Sequence, residues 1–265
     1  MRIISKIKRR IIYHYHELIW LYIFLTGKNT GHFSQQQITI GITTFMDRYH
    51  TYFKGLLKRI RYIFPAAEII VMVNGHVKVE RHKHYLQKIN KFVTRLKGVK
   101  LLSFTEPQGL SKLWNEIIKI SSHDKIFLLN DDLKISPSLG KDFDSSGIGN
   151  EEIATINGSW GHFLLSKNII NLVGWFDEGL KEIGGEDDDY LVRLIFKGID
   201  PKDFKIKTIA NCSKKLKSNS FGKDMTGESR YSALNSEYLF KKWRTEFKPF
   251  TGSIFARGRY WKLND

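Results

Sequence analysis

ITIGITTFMDRYHTYFKGLLKRIRYIFPAAEIIVMVNG, residues 38–75, is the stretch on which the fold turns. It opens with the β-branched run Ile38 to Thr44, of the kind that fills a buried strand. After a loop at Phe45-Met46-Asp47-Arg48, Tyr52, Phe53, Leu56, Leu57 and Ile60 fall on one face of a helix that Pro65 closes. Glu68 to Val73 is a second buried strand, stopped by the turn signal Asn74-Gly75. Strand, helix and strand at this spacing form a βαβ unit, so the expected fold is α/β with a mostly parallel sheet, right-handed crossovers, and ligands at the carboxyl ends of the strands.

Working outward, Tyr85 to Leu96 reads as an amphipathic helix and Val99 to Phe104 as a third strand. Gly109-Leu110-Ser111 leads into a helix through Leu113, Trp114, Ile117 and Ile118. The next strand, Lys125 to Leu129, delivers Asn130-Asp131-Asp132 at its carboxyl end. Two carboxylates there suit a hard divalent ion whose shell is completed by ligand phosphates; Asn and Asp also favour a plain strand-to-loop turn. Ser136 to Glu152, rich in Gly, Ser and Asp, reads as a loop, and Ile153 to Leu165 as a strand pair broken at Gly158 and Gly161.

A second acidic site follows at Gly184-Gly185-Glu186-Asp187-Asp188-Asp189. Tyr190, Leu191, Leu194 and Ile195 recur behind it at helical spacing and Gly198 offers a stop, which puts the acids at a helix N-terminus. One or two acids in a first turn complement free N–H groups and the helix dipole. Four adjacent carboxylates repel one another unless a cation, a metal or a substrate's hydroxyls use them, which points to an active-site edge.

The chain has 265 residues, 42% hydrophobic, enough for one large α/β domain with appendages. Lys and Arg number 43 against 27 Asp and Glu, a net charge of +16 that favours an anionic partner. The single Cys212 excludes a disulfide framework within the chain and argues for a reducing, cytoplasmic setting. Residues 1–36 form a basic and aromatic N-terminal helix and linker. Arg2, Lys6, Lys8, Arg9 and Arg10 precede the apolar run Leu18 to Leu25, which is shorter than the about 20 apolar residues a spanning helix needs. Such a segment can lie in the interface of an anionic membrane, at the inner face of the cytoplasmic membrane, or pack on the domain as a terminal helix. Thr30 to Gln37 reads as a linker. Ser213 to Arg230, with Lys214, Lys215, Lys217 and Lys223, is either a loop that orders over a bound diphosphate or a solvated surface loop. Residues 246–265 form an aromatic and basic tail.

Thr43-Thr44-Phe45, Gly109-Leu110-Ser111 with Asn115, Asn130-Asp131-Asp132, Gly174-Trp175-Phe176-Asp177-Glu178 and Gly185-Glu186-Asp187-Asp188-Asp189-Tyr190 together resemble the inverting GT-A glycosyltransferases, most of all the bacterial family two group. The Gly-Gly-Glu-Asp-Asp-Asp string with Arg193-Leu194 is also similar to the β-1,4-galactosyltransferases. The resemblance covers about residues 37–245, where Asn235, Tyr238, Lys242 and Trp243 echo the end of family two domains. It implies a GT-A fold, with a nucleotide-sugar donor, a UDP-sugar, beside Thr43, Phe45, Arg48, Asn74, Ser111, Asn115, Asn130, Asp131 and Gly161. It implies a divalent metal (Mn2+ or Mg2+) on Asp132. It further implies a saccharide or lipid-linked saccharide acceptor at Glu186, Asp188 and Trp160, and Asp187 as the general base.

The residue types are consistent with that chemistry on their own terms. Cleaving a sugar–phosphate bond calls for charge compensation on the leaving diphosphate, and a poor hydroxyl nucleophile calls for a carboxylate to take its proton. Two other classes stand as alternatives. A sugar nucleotidyltransferase should carry a Gly-rich basic loop after its first strand, which Thr43-Thr44-Phe45-Met46-Asp47 lacks. A nucleic-acid-binding protein would draw on the +16 charge, but the cations do not gather into a reader motif and four acids would repel phosphate, so no nucleic-acid partner is expected.

Overall fold

The computed structural model describes residues 15, 17–26, 37–46, 48–181, 183–211 and 233–243. The basic loop at 213–230, the tail at 246–265 and all of the linker but Gln37 lie outside them.

Seven strands make the central sheet: β1 (Ile38–Thr44), β2 (Glu68–Val73), β3 (Val99–Ser103), β4 (Lys125–Asn130), β6 (Ile153–Ile156), β7 (Ser159–Ser166) and β8 (Lys202–Phe204). Their order is β3-β2-β1-β4-β7-β6-β8, and only β7 runs against the others. β1 lies between β2 and β4 and all seven of its residues are buried, the reason for its β-branched, two-sided composition. A two-stranded sheet pairs β5 (Leu133–Ile135) with β9 (Ile209–Asn211).

Helices cover both faces. On one side lie α1 (residues 17–26), α2 (Lys54–Ile63) behind a π-helical turn at Tyr49–Phe53, α3 (Val79–Val93) and α5 (Leu139–Ser146). They pack on Ile40, Ile42, Ile69, Val71, Phe127 and Leu129. On the other side α4 (Leu110–Ile120), α6 (Lys167–Val173) and α7 (Glu186–Phe196) pack on Ile70, Met72, Ile126, Leu128 and Phe163. The alternation along β2 and β4 is the period-two rule applied to strands buried on both faces. The last described helix is α8 (Ala233–Trp243).

Three expectations change. The stretch Ser136 to Glu152 is not a plain loop: α5 and a 3-10 turn at Ile148–Asn150 lie within it, because Leu139, Phe143 and Ile148 are buried against the sheet. α3 starts at Val79 instead of Tyr85, its first turns being charged and largely exposed. The strand pair from Ile153 turns at Asn157-Gly158, both with positive φ (56° and 66°), whereas Gly161 lies inside β7. The N-terminal segment does pack on the domain. Trp20 and Ile23 are each 1% exposed, Trp20 Nε1 donates to the carbonyl of Ile135 at 2.8 Å, and Arg59 donates to Glu17 at 2.6 Å.

Candidate active site

The carboxyl ends of β1 and β4 are neighbours in register, Thr43 beside Asn130, and their side chains meet there through a 3.3 Å hydrogen bond. Asp131 and Asp132 follow, 2% and 3% exposed. Arg48, carried by the turn after β1, reaches into them. Its Nε lies 2.7 and 2.9 Å from the two oxygens of Asp131, and one terminal nitrogen lies 2.6 Å from Asp131 and 3.1 Å from Asp132. Thr44 donates a further 2.6 Å bond to Asp131. The Arg48 guanidinium also stands over the rings of Phe45 (4.7 Å) and Tyr52 (4.6 Å). Burial opposes the charge on both partners: it raises the proton affinity of Asp131 and works against Arg48, whose pKa the two acids nonetheless push up. Four close contacts on Asp131 favour its charged form and burial opposes it, the carboxyl's pKa being raised on balance.

Gly161 closes this end of the sheet. A Cβ there would stand 3.2 Å from the Asn130 amide nitrogen, so a larger residue would press on the strand end. His162, one residue on and opposite Leu129, is 1% exposed. Burial lowers its pKa to about 4, against the pull of Asp132 and Asp203, so the imidazole beside Asp132 is neutral at pH 7. The sequence reading assigned His162 no role; the antiparallel pairing of β4 with β7 is what brings it to the acids.

Of the other donor-side candidates, two are already committed within the protein. Asn74 is stapled to Gln108, donating to its carbonyl (2.8 Å) and accepting from its N–H (2.9 Å). Asn115 donates to the Phe176 carbonyl and to Glu178 (2.9 Å each) and accepts from the Phe176 N–H (3.1 Å), bracing the 174–178 segment. Ser111 is fully buried, with no hydrogen bond to its hydroxyl among the described residues. Gly109, at the start of α4, is needed for close approach: a Cβ would stand 2.1 Å from the Leu180 carbonyl oxygen.

That approach ties α4 to the loop leading into the second acidic site. Gly184 and Gly185 take left-handed φ of 123° and 92°, and α7 begins at Glu186. The four acids then divide. Asp189 is fully buried and structural, gripped by Arg193 (Nε 3.0 Å, terminal nitrogen 2.9 Å), Lys242 (2.7 Å) and the Trp243 indole (2.9 Å). Glu186 is 5% exposed and turns back to accept the Gly184 N–H at 2.7 Å. Burial, then Asp187 beside it, pushes its carboxyl up to about 8. Asp187 and Asp188 stay half-buried at the edge, with Asp187 accepting the Asp188 N–H at 3.1 Å. Burial and Asp187 push Asp188 up to about 7. No side chain caps α7 from its N-cap position, Gly185; the local N–H contacts of the cluster are Glu186 with Gly184, in the turn before the helix, and Asp187 with its neighbour Asp188.

The two acidic edges are joined through aromatic rings. Trp160, on β7 beside Gly161, packs against Phe163 (centroids 5.0 Å) and Tyr190 of α7 (6.3 Å), and Tyr190 stacks on Phe176 at 4.1 Å. Thr43, Phe45, Arg48, Asn130, Asp131, Asp132 and Gly161 thus form one cluster and Glu186, Asp187 and Asp188 a second; Trp160, next to Gly161 in β7, touches Tyr190, which follows the second cluster in α7. Asn74 and Asn115 act as struts at the flank.

For a divalent ion, the first edge offers Asp132 with a neutral imidazole near it. Among the described residues no three His, Cys, Asp or Glu side chains enclose a metal position. A sparse oxygen-led set fits an ion that takes most of its shell from a bound diphosphate.

No family model matches the chain, and no curated protein matches it in sequence. Solved structures match it in fold. One of S. aureus TarS superposes with a TM-score of 0.50 at 14% identity, covering 67% of this chain and 37% of that one. TarS 1-349 in complex with UDP-GlcNAc gives 0.50 at 13% identity, covering 66% and 57%. This chain therefore spans well under two thirds of the length of either. A mannosyltransferase, PcManGT from Pyrobaculum calidifontis, in complex with GDP-Man and Mn2+, gives 0.49 at 10% identity, covering 76% of this chain and 65% of that one. At such identities the likeness is one of fold: a mixed α/β architecture with a mostly parallel central seven-stranded sheet flanked by helices.

Proposed function

We propose that the protein is an inverting glycosyltransferase that moves a sugar from a nucleotide-sugar donor, a UDP-sugar, to a saccharide or lipid-linked saccharide, in the synthesis of a bacterial surface polysaccharide. The observation that carries this reading is the pairing of two acidic edges at the same end of the sheet. One is paired with Arg48 and the other bears carboxyls of raised proton affinity, and Trp160 of β7 touches Tyr190 of α7. The fold shared with TarS, seen with UDP-GlcNAc, is in keeping with it.

In this reading Thr43, Phe45, Arg48, Asn130 and Asp131 line the nucleotide and diphosphate. A divalent ion on Asp132, when bound, supplies Lewis-acid compensation for the diphosphate's charge. Glu186, Asp188 and the Trp160 ring hold the acceptor sugar. Asp187, half-buried at the edge, takes the proton from the attacking hydroxyl, which forms a bond to the anomeric carbon as the bond to the diphosphate breaks on the opposite face. Calorimetry of UDP with Mn2+ tests the donor half. Wild type should bind in a metal-dependent way and Asp132→Ala should not; equal affinity would remove Asp132 from the site.

The same reading places the protein at the inner face of the cytoplasmic membrane. Opposite the buried Trp20 and Ile23, α1 turns Leu18, Leu21 and Leu25 outward, 64%, 55% and 77% exposed, at spacings of three and seven. An apolar stripe next to five cations in residues 1–10 suits anionic lipid. No helix among the described residues is long and apolar enough to cross a membrane. Replacing the three leucines by Ser should abolish co-sedimentation with phosphatidylserine vesicles while leaving the fold intact; undiminished co-sedimentation would remove the stripe from the contact.

A further inference from the structure

The acidic turn from Gly184 to Asp188 is built on two glycines in left-handed φ, and glycine gives a turn little rigidity of its own. Its order has to come from what touches it, and α8 touches it or its flanks at three places. Asn235 donates to the Gly184 carbonyl at 2.9 Å, at the start of the turn. Upstream, Asp177 accepts from Tyr238 (2.9 Å) and from Lys242 (2.5 Å). Downstream, Asp189 accepts from the same Lys242 (2.7 Å) and from Trp243 (2.9 Å). Leu239, 1% exposed, anchors the helix between these contacts, and the Trp243 ring lies 5.7 Å from Phe196 at the far end of α7.

Lys242 therefore bridges two carboxylates from a third element, Asp177 before the acidic turn and Asp189 in the helix after it. Asp177 and Asp189 are both largely buried, so neither is well solvated without it. Arg193, from within α7, grips Asp189 and donates to the Val173 and Trp175 carbonyls (3.3 and 2.8 Å), which ties α7 to the start of that segment, whereas Lys242 ties it at Asp177 from outside both. We infer that Lys242 is a positioning residue: by clamping Asp177 to Asp189 it holds the Gly184–Asp188 turn, and with it the Asp187 carboxylate, in the geometry used for acceptor attack. This rests on the reading of Asp187 as the base. Displacing a reacting group by about 1 Å can cost on the order of 10²-fold in rate, so the clamp's effect should fall on turnover.

The test uses the full chain with Lys242→Met, Lys242→Arg and, as control, Lys241→Met, since Lys241 is 68% exposed and pairs with Glu237 on the outer face of α8. Hydrogen exchange across residues 183–190 should speed up at least tenfold in Lys242→Met, with β1 and β4 unchanged, and Lys241→Met should match wild type. In transfer assays kcat should fall by about 10²-fold with KM for the donor within about twofold, and Lys242→Arg should recover part of the loss. Unchanged exchange at 183–190 in Lys242→Met overturns the inference whatever the protein's activity proves to be. If Lys242→Met does not fold, Asp177→Asn keeps size and removes the charge that Lys242 meets before the turn; protection at 183–190 equal to wild type in that variant overturns it equally. An enzyme without transferase activity that still shows the exchange effect would defeat the functional reading and leave the clamp standing.

Discussion

The two acidic edges of the site use the same side chains to opposite ends. At the end of β4, Asp131 and Asp132 are buried but face Arg48, so their charge is answered within the protein. At the start of α7 the cations Arg193 and Lys242 are spent on Asp189, and Glu186 and Asp188 are left to burial and to each other's repulsion through Asp187. A carboxylate paired with a guanidinium is a fixed electrostatic fixture, whereas one pushed toward neutrality holds and releases protons near pH 7. The first edge suits binding of charged groups and the second suits proton transfer.

The contrast breaks most sharply at Asp187. Asp187→Asn keeps size and most hydrogen bonding but cannot accept a proton, so transfer should fall by about 10² to 10⁴ while donor binding survives. Product analysis adds an independent check, since an α-linked donor should give a β-linked product. Turnover near wild type, or retained configuration, would end the assignment.

Removing the cation at the other edge should act on stability first. Arg48→Met leaves Asp131 buried without its guanidinium, and breaking a buried pair by deleting one partner costs about 3–5 kcal/mol. Urea denaturation would measure it; a loss below about 1 kcal/mol would mean that Asp131 is served well enough by Thr44 alone.

The smallest effect concerns Glu186 and its sign is definite. Its folded pKa is raised from 4.5 to about 8, so between those values the folded chain holds a proton that the unfolded chain has released. That contribution is complete below about pH 4.5 and is lost as the pH rises through about 8. Glu186→Gln carries no such penalty and should flatten the fall in Tm across this window, being the more stable protein by about 1 kcal/mol or more at pH 8. Parallel Tm curves for the two proteins would show that Glu186 is not the group held protonated.

The strands that build the sheet were legible because strands buried on both faces need continuous apolar, β-branched runs, as in Ile38 to Thr44 and Glu68 to Val73. The start of α7 was legible from the helical spacing of Tyr190, Leu191, Leu194 and Ile195 behind two glycines. Elements whose stability comes from a few contacts were not. α5 and the 3-10 turn after it hide three buried apolar residues, Leu139 and Phe143 in the helix and Ile148 in the turn, in a Gly, Ser and Asp background, and the three-residue strands β8 and β9 are too short for any period to register.

The acidic motifs likewise announced themselves as clusters, since four adjacent carboxylates are costly wherever they sit. What each acid does was decided only by tertiary structure. Arg48 and Asp131 are 83 residues apart in the chain, and Lys242 is 65 from Asp177 and 53 from Asp189. Local sequence determines propensity, periodicity and charge density, because these depend on neighbours along the chain. A carboxylate's protonation, partner and exposure depend on neighbours in space, and only the packing of β1 on β4 and of α8 on α7 supplied those.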